Sequence, residues 1–257
     1  MDEPAHPAIR VRTDGPVTEL TLDRPDKRNA LSLEVLRELR AAVEAATGRV
    51  IVIGANGPAF SAGHDLGEMV GREPAFYDEL FHECAELMEA LHRAPQPVIA
   101  KVRGVATAAG CQLVAACDLA VVEEGARFAT PGVRIGLFCS TPMVPVTRAV
   151  GRKRALQLLL TGEMIDARTA ADWGLVNLVV PARDLDRAVA DLVSKIAEAS
   201  APIVATGKAA FYDSIDLAES DAYAHTCRVM AANAADADAQ EGIAAFLGKR
   251  PPTWTIR

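Results

Sequence analysis

The sequence predicts an α/β fold: a core of alternating strands and helices, completed by a helical C-terminal segment. Three observations carry this reading. Short apolar runs at residues 49–54 (RVIVIG), 98–102 and 119–122 lack strict alternation, so they read as strands covered on both faces. Longer stretches between them repeat apolar residues three and four apart, as amphipathic helices do. Beyond about residue 180 the strand signals stop and only helical patterns remain.

The elements follow in order. Residues 9–12 and 17–22 read as two strands joined by Thr13-Asp14-Gly15-Pro16, a strong turn signal. Ser32 is placed to cap a helix running to about Thr47, with Glu34 in its first turn and Gly48 at its stop. The strand at 49–54 comes next, then a loop. A long helix over 75–93 carries the stripe Phe76, Leu80, Cys84, Leu87, Met88 and Leu91, and Pro95 and Pro97 end it. The strand at 98–102 leads through a run of small residues into a short apolar helix over 111–116, then the strand at 119–122. Helices are expected near 142–150, 153–160, 167–173, 184–199 and 203–215, and helix dominates to about 247. No Pro/Gly/Ser linker divides the chain. No repeat of fixed period is present, although strand–loop–helix units recur loosely.

Composition narrows the function. A chain of 257 residues fits one large domain, or one with an appendage. A net charge of −7 argues against a nucleic-acid partner, which needs a basic face. No apolar run reaches membrane-spanning length. The opening MDEPAHPAIR has neither the apolar core of a secretory signal nor the arginines of a transit peptide. Five cysteines without a CxxC pair, one left over, suggest a reduced, cytoplasmic compartment. With 48 alanines and 5% aromatics, close packing of helices and backbones is expected.

Several familiar motifs are absent: GxGxxG after a strand, GxxxxGK[ST], HExxH and GxSxG. The five histidines are scattered singly, so no metal site is expected. Two loops stand out. One is residues 54–66, GANGPAFSAGHDL; the other is 104–113, GVATAAGCQL, which opens a helix. Each follows a buried strand, and small residues in both allow close backbone approach to a ligand. A helix N-terminus adds free N–H groups. Together they could offer two backbone donors to one carbonyl oxygen. Tight turns serving helix–strand packing would explain the same residues without a ligand.

AFSAGHDL (59–66) with GVATAAGCQLVAACDLAV (104–121) resembles the crotonase superfamily, the enoyl-CoA hydratases and isomerases. PDKRNAL (25–31), FATPGVRIGLF (128–138), LLLTGEMIDARTAADWGLVNLVV (158–180) and the helical tail fit in the expected order. FATPGVRIGLFCSTP and TAAGCQLVAACDLAV most resemble the branch called domain-containing protein 3. The resemblance implies a crotonase-like spiral of ββα units over residues 1–200 and a helical trimerisation region over 201–257. It implies an acyl-CoA thioester ligand, with coenzyme A part of the substrate rather than a separate cofactor. By motif position, the backbone N–H groups of His64 and Ala109 would hold the thioester oxygen, each contributing on the order of 10²–10³ in rate. Ala62, Asp65 and Leu66 match positions whose backbone lies along the adenine and pantetheine. Lys27, Arg28 and Lys208 are candidates for the CoA phosphates, with solvated surface cations as the alternative. A homotrimer or hexamer is implied, and Phe211, Ile215, Tyr223, Met230 and Phe246 exceed what a short helical tail can hide by itself.

The sequence also departs from the family. Gln112 and Gly132 stand where hydratases carry their two glutamates. A carboxamide cannot exchange protons near pH 7 and glycine cannot at all, so standard hydration is expected to be weak. Installing both Gln112→Glu and Gly132→Glu is expected to help if Gly132 has an ordinary φ. Other groups stand nearby. His64 could act as a base or point away. Ser140 matches a position where relatives with other chemistries place a carboxylate, or it caps the helix entered by Pro142. Three functional readings follow: a hydratase/isomerase-family enzyme that polarises a thioester; a different acyl-CoA reaction, such as thioester hydrolysis, isomerisation or decarboxylation; and a non-catalytic acyl-CoA-binding regulator.

Overall fold

The computed structural model describes residues 7–255; residues 1–6 of the opening segment read above lie outside them. The chain begins with an antiparallel hairpin, β1 (Ile9–Asp14) and β2 (Val17–Leu22), closed by Gly15 and Pro16. Helix α1 (Leu33–Glu44) starts at Ser32, whose hydroxyl accepts from the Val35 amide at 3.3 Å, and ends three residues before Thr47. Strand β3 (Val50–Ala55) is buried on both faces, as its unbroken apolar run requires. Ile51 and Ile53 enter the main core with Leu36, Leu39 and Leu87. Val50 and Val52 face Leu185, Val189 and Val193 of helix α8 (Leu185–Ala197).

The spiral of ββα units emerges from a second sheet that periodicity did not reveal. β3 is followed by β4 (Ala59–Ser61), then helices α2 (Leu66–Met69) and α3 (Pro74–Arg93). β5 (Val98–Val102) is followed by β6 (Val105–Thr107) and helix α4 (Ala109–Ala116). β7 (Leu119–Glu123) is followed by β8 (Arg127–Ala129), a 3-10 turn at Pro131–Ile135 and helix α5 (Met143–Val150). The first strand of each unit joins a six-stranded sheet that includes β10 (Leu178–Val180), in the order β1-β2-β3-β5-β7-β10. The second joins a four-stranded sheet that includes β9 (Ile165–Asp166), in the order β4-β6-β8-β9. Pairing from β2 through β10 is parallel. The second-sheet strands have two or three residues each, too few to show alternation. Helices α6 (Arg152–Thr161) and α7 (Ala167–Trp173) lie between β8 and β10 in sequence.

Helices α9 (Ala201–Ser214), α10 (Glu219–Ala234) and α11 (Ala237–Leu247) finish the chain. Neither α9 nor α10 buries a residue fully, and Phe211, Ile215, Tyr223, Met230 and Phe246 all remain exposed, Phe246 at 83%.

Lys208 does not belong at a CoA phosphate. Its side chain is only 7% exposed, and its ammonium donates to the Leu91 and Gln96 carbonyls at 2.7 and 2.8 Å and pairs with Asp118 at 2.7 Å. Asp118 also accepts from the Tyr212 hydroxyl at 2.7 Å and the Val98 amide at 2.6 Å, and Tyr212 stacks on His92 at 4.0 Å. Lys208 thus fastens α9 to the end of α3 and the start of β7. Burial pulls the Lys208 ammonium below the usual lysine range, and the adjacent Asp118 charge opposes that shift. Removing the counter-charge leaves a buried cation without a partner. Asp118→Asn is therefore expected to lower unfolding free energy by about 3 kcal/mol in a urea titration.

Candidate active site

A cavity of about 770 Å³ opens between the 61–66 loop, the start of α4 and the 131–142 segment. Its size suits a small-molecule ligand, for which roughly 300–1,000 Å³ is usual. Ala62, His64, Asp65, Leu66, Ala109, Gly132 and Ser140 all line it. The sequence had therefore pointed to seven residues that the fold brings together.

The two loops meet through glycine. Gly63 has φ +91°, and a Cβ there would stand 2.8 Å from the Ala108 Cβ and 3.2 Å from the Ala109 nitrogen. At Gly110 a Cβ would stand 2.4 Å from the Ser61 carbonyl oxygen. The Thr107 hydroxyl donates to the Ala62 carbonyl at 3.1 Å across the same seam. The other side of the 61–66 loop is tied to residues 28–31. Ala62 donates to the Arg28 carbonyl at 3.0 Å, and Leu31 donates to the Gly63 carbonyl at 2.8 Å. Asp65 donates to the Leu31 carbonyl at 3.4 Å.

That parallel bridge between Leu31 and His64 orients the His64 backbone. The residues flanking His64 bond Leu31, so the His64 N–H points away from Leu31. Ala109 is the first residue of α4, where an N–H has no partner within its helix. Among the described residues, neither the His64 nor the Ala109 amide donates to a protein acceptor. Ala108, before it, adopts φ +50° and ψ −119°, a region costly for any residue with a Cβ. Its own N–H is held by the Ala129 carbonyl at 2.9 Å, so the neighbouring strand fixes the strained turn.

Side-chain chemistry in the cavity is sparse. The His64 ring sits edge-on to Phe81, centroids 5.4 Å apart, with Nδ1 3.3 Å from the Leu31 carbonyl. Nε2 is buried without a partner. Burial holds this imidazole below the usual histidine range, against the opposing pull of the Leu31 carbonyl, so it is neutral at pH 7. Asp65 caps α2, accepting from the Gly67 amide at 3.0 Å, and Lys27 lies 3.9 Å from its other oxygen. Arg28 is exposed. The Ala62 backbone is already committed on both its N–H and its carbonyl.

Three expectations change. Gln112 is 2% exposed, does not line the cavity, and accepts from the Cys84 thiol at 3.7 Å. Burial pushes that thiol up to about 12, so it stays protonated and can donate. Ser140 does not cap α5, which begins at Met143 without a side-chain cap; its hydroxyl donates to the Phe138 carbonyl at 3.4 Å. Gly132 has an ordinary φ, yet a Cβ there would lie 2.5 Å from the Leu137 carbonyl oxygen and 2.9 Å from the Cys139 sulfur. The turn itself, closed by Leu137 donating to the Gly132 carbonyl at 2.9 Å, occupies the space a glutamate would need. Sequence reasoning also missed Phe81, Met69 and Arg134 as lining residues. Phe81 lies on the long helix outside its apolar stripe, Met69 in the stretch read as a loop, and Arg134 inside FATPGVRIGLF without being singled out.

Comparisons with known proteins show the family and the fold. The enoyl-CoA hydratase/isomerase family pattern matches residues 12–257. The chain belongs to that family. It is 45% identical to human enoyl-CoA hydratase domain-containing protein 3, mitochondrial, over 256 residues, covering 97% of this chain and 84% of that protein. The rat protein of the same name is 46% identical over 244 residues, 93% and 81% of the two chains. Among solved structures, an enoyl-CoA hydratase from Mycobacterium smegmatis superposes with a TM-score of 0.94 at 47% identity, covering 97% of this chain and 99% of that one. The human domain-containing protein 3 superposes at 0.93 with 44% identity, covering 96% and 100%. The family therefore brings the crotonase fold with it. No helix among the described residues of this family member is long and apolar enough to cross a membrane.

Two measurements follow from the site. Ala108→Gly relieves backbone strain of about 1–3 kcal/mol but adds unfolded-state entropy, so a net gain of about 1 kcal/mol is expected in denaturant unfolding. Burial also holds His92 below its usual range. Because both His64 and His92 are lowered in the folded chain, the unfolded chain binds more protons below about pH 6.5, and stability falls as pH drops. Melting temperature is expected to decline between about pH 6.5 and 5, before carboxylates titrate. His64→Gln is expected to reduce that slope by up to one proton, about 1.4 kcal/mol per pH unit.

Proposed function

We propose that this family member binds an acyl-CoA thioester and polarises its carbonyl between the backbone N–H groups of His64 and Ala109. The observation that carries the reading is the pair of unspent amides on one cavity, set by loops that glycine alone allows to meet. Negative charge on the thioester oxygen, as in an enolate, is what such donors stabilise. Lys27, 3.9 Å from the Asp65 carboxylate, and Arg28, whose carbonyl accepts from Ala62, adjoin the loop, and CoA phosphates would be met there by cations. Coenzyme A enters as part of the substrate, and no separate cofactor has a role.

Water addition by two carboxylates is not this site's chemistry. Gln112 faces Cys84, Gly132 has no side chain, and Asp65 is engaged in capping and with Lys27. Each missing acid–base group costs about 10²–10⁴ in rate. Crotonyl-CoA hydration is expected to fall well below the 1–10³ s⁻¹ typical of enzymes, while butyryl-CoA binds measurably by calorimetry. Hydration in the ordinary range would overturn the chemistry; absence of butyryl-CoA binding would overturn the site. Gly132→Glu, alone or with Gln112→Glu, is expected to destabilise the fold by a few kcal/mol without restoring hydration, because the Leu137 carbonyl blocks its Cβ.

The exposed apolar face of α9–α11 supports self-association as a trimer or hexamer, which hides large apolar patches. Light scattering at micromolar concentration is expected to give a multiple of three; a monomer would contradict it.

A further inference from the structure

We propose that the acyl group of the ligand ends in a carboxylate and that Arg134 receives it. This rests on the thioester reading above and narrows it to a substrate class, the monothioesters of dicarboxylic acids. The argument is an inventory of charge in the cavity. Its ionisable lining residues are His64, Asp65, Arg134 and Cys139. His64 is neutral because burial disfavours its cation. Burial likewise keeps Cys139 a thiol, although the Gly132 amide pulls the other way. Asp65 has Lys27 beside it. Arg134 remains, a full positive charge with no carboxylate within ion-pair distance among the described residues.

The guanidinium is held in place rather than free to swing. Its Nε donates to the Thr161 carbonyl at 3.1 Å, and a Cβ at Gly162 would lie 3.2 Å from that same nitrogen. No hydrogen bond engages the two terminal nitrogens among the described residues, which leaves the bidentate fork that suits a carboxylate. The same turn and the segment after it line the cavity with apolar side chains: Ile135, Leu137, Phe138 and Pro142. In the open cavity water solvates the guanidinium. A bound alkyl chain would displace that water and return nothing, which is costly for a charge. A terminal carboxylate would replace it.

Position separates this anion from the CoA phosphates. Arg134 lies on the turn that carries Gly132, a segment of the lining separate from the 61–66 loop, whose Asp65 has Lys27 beside it. A ligand whose CoA end is met beside the loop by Lys27 would present its acyl group to the rest of the lining, where Arg134 stands.

The test is calorimetric titration of wild type and Arg134→Met with butyryl-CoA, succinyl-CoA, glutaryl-CoA and free CoA. Arg134 is exposed and Met keeps its aliphatic stem, so folding is expected to survive; a melting curve checks this. Wild type is expected to bind succinyl- or glutaryl-CoA at least about tenfold more tightly than butyryl-CoA, as one charge-assisted hydrogen-bonded pair implies. Arg134→Met is expected to erase that preference. Equal wild-type affinity for the three esters would overturn the proposal. So would a loss in Arg134→Met as large for free CoA as for glutaryl-CoA, which would assign the guanidinium to a phosphate. If none of the esters bound wild type, the thioester reading itself would fall, and this inference with it.

Discussion

Two backbones approach each other more closely than side chains permit, and the site depends on that approach. At Gly63 a methyl group would strike Ala108 and crowd the Ala109 nitrogen; at Gly110 it would strike the Ser61 carbonyl. Their absence lets the 61–66 loop lie against the start of α4, where the Thr107 hydroxyl links to Ala62. The second sheet serves this seam. β4 and β6 are short strands whose ends deliver the two loops, and β8 supplies the Ala129 carbonyl that holds the strained Ala108. The Leu31 bridge secures the outer side, so neither loop can rotate its free amide away without breaking several hydrogen bonds. Strain of about 1–3 kcal/mol at Ala108 is small beside the packing that enforces it.

A site built this way stabilises charge better than it moves protons. Its donors are main-chain amides, fixed before any ligand arrives, which is where electrostatic stabilisation is most effective. Its side chains are unsuited to proton transfer of the hydratase kind. Gln112 is turned into the core toward Cys84, and the turn at Gly132 is closed by its own carbonyls. Family membership and mechanism therefore separate in this chain. The fold is that of the family, while, on the proposed reading, the two positions that would carry acid–base catalysis hold Gln112 and Gly132, which cannot perform it.

Much of this was legible in the sequence, for identifiable reasons. β3 announced itself because both faces are buried, and α3 because its stripe is long; the small-residue loops pointed to residues that line one cavity. The second sheet was hidden because three-residue strands such as β6 carry no period. Lys208 resembled a surface cation because nothing in its neighbourhood reveals that Asp118 and two carbonyls, more than 80 residues away in sequence, enclose it. Gly132 appeared replaceable because the obstruction comes from Leu137 and Cys139 through a turn visible only in three dimensions. Arg134 drew no notice because what marks it, a guanidinium lining the cavity with no carboxylate in reach among the described residues, is a property of the folded chain alone.

The central claim is that the His64 and Ala109 amides polarise a thioester carbonyl. Isotope-edited infrared spectroscopy of butyryl-CoA carrying ¹³C at the thioester carbon measures this most directly. The carbonyl stretch should move to lower frequency when the ligand saturates the protein, because two hydrogen bonds weaken the C=O bond. The shift should vanish in Gly63→Ala, whose Cβ crowds the Ala109 nitrogen. A saturated wild-type complex in which the carbonyl band stays at its solution frequency or moves higher would contradict the claim.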